Sequence, residues 1–156
     1  MGETELLEKI KQGLKEKVLD ITNPAPRRVF LKVDKKDLVE AVKFLKEKFN
    51  FYHISTISGV DLGENFEILY HLANENCVLT VRTLTPRNDP KVPTITSVIP
   101  GATLYEREIQ DMFGIKVEGH PNPERLVLPD DWPEGEYPLR KDWKFERPEE
   151  KIPGGK

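Results

Sequence analysis

The sequence predicts an α+β domain of two layers, in which a mixed sheet of about four strands is covered by helices on one face. Two observations predict it. A strand, a helix and a second strand follow one another as a crossover unit, and two further strands follow as a meander. Both kinds of periodicity end before residue 119. We therefore expect an α/β core domain over residues 1–118 and an extended, proline-rich C-terminal tail over residues 119–156.

The first part of the chain supplies the crossover unit. Residues 3–19 are predicted to be a helix, because leucine, isoleucine and valine recur there at three- and four-residue spacing. Residues 23–26, with two prolines, break the chain, and residues 28–33 alternate as a half-buried strand. Asp34 is the predicted N-cap of a second helix. The apolar stripe of that helix consists of Leu38, Val42, Leu45 and Phe49.

The meander follows. Residues 51–60 and 66–72 are rich in β-branched and aromatic residues and are joined by a turn, so they are predicted to pair as a hairpin. A further strand is expected over residues 77–84. The helix between the first and second strands makes those two strands parallel if they are neighbours, which predicts a mixed sheet.

A connection and a short helix complete the core. Residues 85–100 contain four prolines and are predicted to be a connection with one helical turn near residues 95–99. Thr103 and Glu106 stand at the spacing of a capping box, which predicts a helix start at Thr103. Gly114 ends this helix in the left-handed conformation, and Ile115 supplies the apolar contact of the cap.

Composition excludes several classes of function. The 156 residues include 24 basic and 27 acidic residues, a net charge of −3, which gives no reason to expect binding to nucleic acid or anionic lipid. The one cysteine, Cys77, cannot form an internal disulfide or by itself hold a zinc ion or an iron–sulfur cluster. No apolar run approaches the ~20 residues of a membrane span, so we expect a soluble, cytoplasmic chain. Abundant lysine and glutamate with little glutamine favour a thermophilic source.

The residues alone indicate no active site. His53, His71 and His120 lie on separate segments without a second metal ligand at a suitable spacing. Asp130 and Asp131 adjoin each other, but neighbours in an extended chain point to opposite sides and make a poor acid–base pair. The sequence has no glycine-rich phosphate loop, no G-x-S-x-G and no C-x-x-C.

The tail has the composition of a segment that binds a surface. Seven of the 13 prolines follow residue 119, which forbids a further helix or central strand. The tail nevertheless carries apolar anchors that a solvated linker lacks: Leu126, Val127, Leu128, Trp132, Tyr137, Leu139, Trp143 and Phe145. These anchors predict a protein partner. For the helix over residues 103–113, the alternative to a role in binding is a solvated helix with an Arg107–Asp111 ion pair on its surface.

The stretch from residue 106 to residue 142 resembles a known family. The matching residues are Glu106-Arg107-Glu108, Asp111-Met112-Phe113-Gly114-Ile115, Gly119-His120-Pro121, Arg125, Leu128-Pro129-Asp130-Asp131-Trp132 and Pro138-Leu139-Arg140-Lys141-Asp142. They look like the signature of the hydrophilic "30 kDa" subunit of NADH–quinone oxidoreductase, the respiratory complex I. That subunit is similar to one found in membrane-bound [NiFe] hydrogenases and their ferredoxin-dependent relatives.

The resemblance implies a function without chemistry of its own. The chain would be a non-catalytic subunit of the peripheral arm of a membrane-bound, ion-translocating oxidoreductase, on the cytoplasmic side, and would reach the membrane only through the complex. It would hold no cofactor and no metal. Its implied partners are the large, hydrogenase-like subunit and a small iron–sulfur subunit. Iron–sulfur clusters, and a NiFe centre or quinone, would belong to those partners.

The resemblance also marks partner-binding residues, to which the neighbouring Trp143 is added as an anchor. They are Glu106, Arg107, Glu108, Asp111, Met112, Phe113, His120, Arg125, Asp130, Asp131, Trp132, Leu139, Arg140, Lys141, Asp142 and Trp143. Several alternatives stay open. The electron donor is NADH or ferredoxin, and the acceptor is a quinone, a proton or a sulfur compound. The rival class is a free-standing protein-binding module or a small cofactor-free enzyme with a self-folded tail.

Overall fold

The computed structural model describes residues 1–145, so residues 146–156 of the predicted tail lie outside the described residues. The helices are α1 (Glu3–Leu14), α2 (Leu38–Phe49) and α3 (Thr103–Phe113). The strands are β1 (Asp20–Ala25), β2 (Arg28–Lys32), β3 (His53–Asp61), β4 (Asn65–Ala73), β5 (Val78–Pro86), β6 (Lys91–Pro93) and β7 (Lys116–Glu118).

The main sheet confirms the predicted mixed α+β fold. Its five strands lie in the order β1-β2-β5-β4-β3, with β2 and β5 parallel and the other pairs antiparallel. The first two predicted strands, β2 and β3, are therefore not neighbours, because β5 and β4 lie between them. The connection that contains α2 therefore passes β5 and β4, and β3 is an edge strand.

The fifth strand of the main sheet, β1, was not predicted from the sequence, and neither were the short strands β6 and β7. Residues 20–25 include Asn23 and Pro24, which read as a break. In the structure this segment pairs with β2 at the edge of the sheet, with a register shift between Thr22 and Ala25. An edge strand with an irregularity tolerates a proline, because one side of its backbone needs no partner.

The apolar core lies between the sheet and the helices. Every second residue of β4 on this side is buried, namely Phe66, Ile68, Tyr70 and Leu72. The predicted stripe of α2 packs here too, with Leu38, Val42 and Leu45 buried and Phe49 packed at the edge of the core. None of the helices in residues 1–145 has the length and apolar character needed to cross a bilayer.

The predicted first helix is shorter than expected. α1 ends at Leu14, and residues 15–17 form a 3₁₀ turn instead of continuing the helix to residue 19. Asp34 is an N-cap as predicted, but it caps the 3₁₀ turn that precedes α2 and not α2 itself. Its carboxylate accepts the N–H of Lys36 in that turn.

The connection after β5 places α3 beside the sheet. The expected helical turn is present, since the Ile99 N–H donates to the Ile95 carbonyl at 2.9 Å. β6 and β7, which precede and follow α3 in the chain, pair in parallel. The Phe113 ring then lies directly on β3, where a Cβ at Gly59 would be 2.5 Å from it. This contact fixes the end of α3 against the sheet.

Candidate functional site

The candidate site is the outer side of α3 together with the described part of the tail, residues 119–145. This part of the tail contains no regular secondary structure. It lies along α3 because side chains of the helix bind its backbone. These contacts succeed one another from the first turn of the helix to its last.

The helix begins at Thr103 as predicted, but not by a capping box. The Thr103 hydroxyl donates to the Pro100 carbonyl at 2.7 Å, within a 3₁₀ turn that precedes the helix. Glu106 is only 2 % exposed and turns inward. Its carboxylate accepts the Ile95 N–H at 2.7 Å and the Thr94 hydroxyl at 2.6 Å. Burial raises the pKa of Glu106, and these two hydrogen bonds partly oppose that rise.

His120 joins the beginning of the tail to this buried carboxylate. Its Nε2 lies 2.9 Å from the Thr103 carbonyl and 3.7 Å from Oε2 of Glu106. Its Nδ1 accepts the Asn122 N–H at 3.0 Å. A neutral ring with its proton on Nε2 satisfies both hydrogen bonds. Glu106 and His120 thus attach the tail to the inside of the domain.

The next turn of α3 binds carbonyl groups of the tail. Nε and Nη2 of Arg107 donate to the carbonyls of Glu124 and Arg125, each at 2.8 Å. The Gln110 amide donates to the Pro123 carbonyl at 2.7 Å. The Arg107–Asp111 ion pair considered from the sequence is therefore absent from the described residues, because Arg107 donates its hydrogen bonds to carbonyl groups of the tail.

Asp111 binds amide groups of the tail in the complementary way. One carboxylate oxygen, Oδ2, accepts three consecutive backbone N–H groups, from Leu126 at 2.9 Å, Val127 at 2.8 Å and Leu128 at 3.2 Å. Successive N–H groups that converge on one oxygen form an anion-binding nest. The side chain of Asp111 is 5 % exposed, so this contact is shielded from water.

Arg125 and two tryptophans shape the middle of the tail. Nη1 of Arg125 donates to the carbonyls of Trp132 at 2.7 Å and Pro129 at 3.0 Å, which closes a loop. The Trp132 indole N–H donates to the Glu136 carbonyl at 2.9 Å. The Trp132 and Trp143 rings lie 5.8 Å apart. These contacts fold the middle of the described tail into a loop.

The end of α3 binds the last part of the tail through its free carbonyl groups. The Leu139 N–H donates to the Met112 carbonyl at 3.1 Å, and Nε of Arg140 donates to the Phe113 carbonyl at 2.7 Å. Gly114 caps the helix in the left-handed conformation, as predicted. It also permits close packing, because a Cβ there would collide with the Tyr137 ring and lie 2.8 Å from Nη2 of Arg140.

A charged cluster then joins the tail to the sheet. Asp61, at the end of β3, accepts the Lys141 N–H at 2.9 Å and pairs with Arg87 at 2.7 Å. Arg87 also pairs with Asp142 at 2.8 Å. Burial of Asp61 opposes its ionisation, but hydrogen bonds from the N–H groups of Lys141 and Gly63 and from Arg87 outweigh it and lower the pKa to about 2.

The structure brings the predicted site residues together but gives them different exposures. Four are buried within the chain: Glu106, Asp111, Phe113 and His120. Six are half-buried: Arg107, Met112, Arg125, Trp132, Arg140 and Trp143. Six are exposed: Glu108, Asp130, Asp131, Leu139, Lys141 and Asp142. The four buried side chains contact this chain's own tail and core, so the exposed surface of the site belongs to the other residues.

Sequence reasoning missed Asp61 and Arg87. Asp61 was predicted to lie in a turn and Arg87 in a proline-rich connection. No sequence pattern related either residue to the tail. Their partners lie far along the chain, at residues 141 and 142. Only the folded chain shows this contact.

The tail leaves apolar side chains on its surface. Within residues 119–145, the large exposed apolar residues are Leu126, Val127, Leu139 and Phe145. The backbone of the same segment is bound to α3, so these side chains are held in place while remaining accessible. In residues 1–145 there is no group of three or more His, Cys, Asp or Glu residues arranged to hold a metal ion.

Comparisons with known proteins identify relatives. A family model described as "Respiratory-chain NADH dehydrogenase, 30 Kd subunit" matches residues 31–149. A subunit of the NADH-quinone oxidoreductase of Chloroherpeton thalassium is 36% identical over 144 residues, which cover 88% of this chain and 59% of that protein. A subunit of the F(420)H(2) dehydrogenase of Methanosarcina mazei is 34% identical over 142 residues, which cover 88% of this chain and 89% of that protein. The chain thus spans less than two thirds of the Chloroherpeton protein.

Solved structures agree with these relatives. A chain in the membrane-bound sulfane sulfur reductase, an archaeal respiratory membrane complex, superposes with a TM-score of 0.81 at 27% identity, covering 90% of this chain and 85% of that chain. A trypsin-resistant fragment of Nqo5 superposes with a TM-score of 0.64 at 25% identity, covering 76% of this chain and 97% of that chain. The matched family model extends from β2 through α3 and the described tail, and so includes the whole candidate site. The chain therefore belongs to the family of the 30 kDa subunit of respiratory-chain NADH dehydrogenase.

Proposed function

We propose that this protein is a non-catalytic, peripheral subunit of a membrane-bound respiratory oxidoreductase and that it supports the large, hydrogenase-like subunit of that complex. The tail supplies the contact surface. The protein reaches the membrane through the complex, on its cytoplasmic side. A small iron–sulfur subunit is its second neighbour. Relatives in NADH-quinone oxidoreductases, an F(420)H(2) dehydrogenase and a sulfane sulfur reductase complex support an assembly role that is shared across different electron donors and acceptors.

One observation carries this proposal. The described tail is bound to α3 through its backbone, while four of its large apolar side chains are exposed, namely Leu126, Val127, Leu139 and Phe145. Packing in a self-contained domain places apolar side chains inward, so the reverse arrangement is typical of a surface that a partner covers. Holding the backbone in advance also lowers the entropy cost of binding, because fewer groups must be ordered when the partner arrives.

The proposal assigns cofactors to the partners. Iron–sulfur clusters, together with a NiFe centre or a quinone, belong to the other subunits, and this chain positions the protein that holds them. The buried acids of the site, Glu106 and Asp111, fit this role, because each is occupied by hydrogen bonds from its own chain.

The experiment compares two leucines of nearly equal exposure. Leu139 lies in the tail and is 54 % exposed, whereas Leu19 lies before β1 and is 58 % exposed. Each is changed to aspartate, and the protein is co-expressed with a tagged large subunit from the same organism. We expect Leu139→Asp to lower the co-purified yield by about tenfold or more, because a buried charge without a partner opposes binding. Leu19→Asp should match the wild-type yield.

Both variants should fold like the wild type, since each side chain is exposed. Circular dichroism and the melting temperature check this. Equal yields for Leu139→Asp and Leu19→Asp would contradict the proposed surface. A wild-type chain that stays monomeric in the presence of the large subunit would favour the free-standing binding module.

A further inference from the structure

Arg140 is a half-buried guanidinium without a carboxylate partner among residues 1–145. Its Nε donates to the Phe113 carbonyl at 2.7 Å. Its guanidinium carbon lies 4.5 Å from the centre of the Tyr137 ring and 5.0 Å from that of Phe66. No salt bridge of the described residues includes it. Aromatic contacts and one carbonyl compensate the charge only in part.

A second guanidinium, that of Arg87, stands nearby and is itself paired with two carboxylates. Arg87 lies 5.1 Å from the same Phe66 ring. Burial lowers the pKa of Arg140, and the charge of Arg87 lowers it further, while Tyr137, Asp142 and Asp61 partly offset the shift. Asp61 and Asp142 both pair with Arg87, and neither carboxylate lies within salt-bridge distance of Arg140.

Both guanidinium groups line an open cavity of about 670 Å³. Its other lining residues are Glu64, Asn65, Pro86 and Asn88. The two asparagine amides can donate hydrogen bonds to an oxygen ligand. Glu64 contributes the one carboxylate of the lining, and its side chain forms no salt bridge within the described residues. The cavity therefore offers several hydrogen-bond donors, and Arg140 is the cation of its lining that no salt bridge of the described residues neutralises.

We propose that this cavity receives a carboxylate of the partner protein, which pairs with Arg140 next to Arg87. The inference rests on the proposed function and specifies the chemistry of the contact. A carboxylate fits because a guanidinium presents two parallel N–H groups that match its two oxygens. The site would fix the register of the tail on the partner, because a paired charge is satisfied at one position only.

The first experiment tests the site on the isolated full-length chain. Sodium acetate is titrated at constant ionic strength against sodium chloride, and the arginine Nε–H signals are followed by NMR. We expect a saturable shift of the Arg140 signal and only a linear drift of the signal of Arg28, an exposed arginine on β2. Equal behaviour of the two signals would overturn the inference. Inorganic phosphate that saturates the site where acetate does not would also overturn it.

The second experiment tests the source of the carboxylate. Arg140→Gln, Arg140→Lys and Arg28→Gln, which changes the exposed arginine on β2, are each assembled with the large subunit. We expect about tenfold weaker binding for Arg140→Gln, an intermediate loss for Arg140→Lys, and binding within about twofold of wild type for Arg28→Gln. Near-identity of the Trp132 and Trp143 indole signals in isolated wild type and variants would show that the tail keeps its fold.

The outcomes separate the two proposals. Wild-type assembly that Arg140→Gln leaves unchanged would overturn the carboxylate contact and leave the subunit role intact. Absence of wild-type assembly would overturn the subunit role, and the acetate titration would then judge the carboxylate site alone. Loss of binding with Arg140→Gln together with a saturable acetate response supports both.

Discussion

The main sheet and the tail are stabilised by different forces. The sheet and helices bury a continuous apolar core, in which the inward residues of β4 are almost completely shielded from water. The described tail contains one buried residue, His120, and is held by hydrogen bonds from side chains of α3 to its backbone. Apolar burial stabilises the domain itself. Side-chain bonds to a backbone leave four large apolar side chains of the described tail exposed.

This difference predicts that the two regions can be perturbed separately. A change in the core should lower the stability of the whole chain, whereas a change in the contacts of α3 should release the tail first. Among the changes below, loss of the whole tail should have the largest effect, because it abolishes assembly. Loss of one charged contact should have the smallest effect, a small decrease in stability.

Removal of the tail should abolish assembly but leave the sheet folded. A chain that ends at Gly119 loses the exposed leucines of the tail and every contact between the tail and α3. We expect no detectable binding to the large subunit and a cooperative thermal transition at a lower temperature. The transition falls because Asp111 loses its amide partners and Asp61 loses the Lys141 N–H. Calorimetry and co-purification measure the two effects.

A chain that ends at Phe145 is the matched control, since it keeps the whole described tail. It should bind and melt like the full-length protein. A molten or insoluble 1–119 fragment would instead show that the tail is part of the core, and that the boundary predicted at residue 118 does not separate two regions.

A cavity in the core should destabilise the protein strongly. Ile68→Ala removes a fully buried side chain from the interior strand β4. The expected loss in the free energy of unfolding is about 2–5 kcal/mol, from lost burial and the remaining cavity. Urea denaturation measures it. Leu69→Ala, on the other face of the same strand, should cost less because that side chain is only half-buried. Equal losses would indicate that both faces of the sheet are covered.

Loss of the Asp111 carboxylate should release the tail while the sheet stays intact. Asp111→Ala removes the acceptor of three consecutive N–H groups. Because hydrogen bonds to a charged group contribute about 1.5–3 kcal/mol, and the freed amides regain water, we expect a loss of about 2 kcal/mol. Hydrogen exchange should speed up at residues 126–128 and stay slow in β4. Asp130→Ala, an exposed acid of the tail, is the control and should change neither.

Acid should weaken the contact between the tail and the sheet. The pKa of Asp61 is about 2 in the folded protein, below its ordinary value of 3.8. Its ionised form therefore stabilises the fold fully above about pH 4, and this contribution is lost as the pH falls from about 4 towards 2. We expect it to be on the order of 1 kcal/mol, because solvent screens the partly exposed Arg87.

Urea denaturation of wild type and Asp61→Asn across this pH range measures the contribution. The difference between the two proteins should be constant above about pH 4 and shrink at lower pH. An unchanged difference at about pH 2.5 would mean that Asp61 is not ionised in the folded protein in the way that its hydrogen bonds indicate.

Local sequence determined the elements of this protein. Periodicity located α2 and the strands β3, β4 and β5, because the spacing of apolar residues reflects which side of an element is buried. Gly114 ended α3 as expected, since the left-handed cap is a property of one residue. The prediction from local sequence failed at two positions where a tertiary contact outweighed the local preference of the residue. Pro24 lies in an edge strand, and Glu106 leaves the helix start to bind the buried loop before it.

The tertiary structure alone decided strand order and the position of the tail. The parallel pairing of β2 with β5, and the bond between Asp61 and the Lys141 N–H across 80 positions, leave no periodic signal in the sequence. The family signature in residues 106–142 marked the residues of the site, but not which of them face inward. The exposure of each site residue depends on how the tail folds onto α3. A carboxylate on this helix can bind another protein or, as Asp111 does, backbone N–H groups of its own chain. Long-range contacts decide which of these residues are buried, and their energies cannot be inferred from a short stretch of sequence.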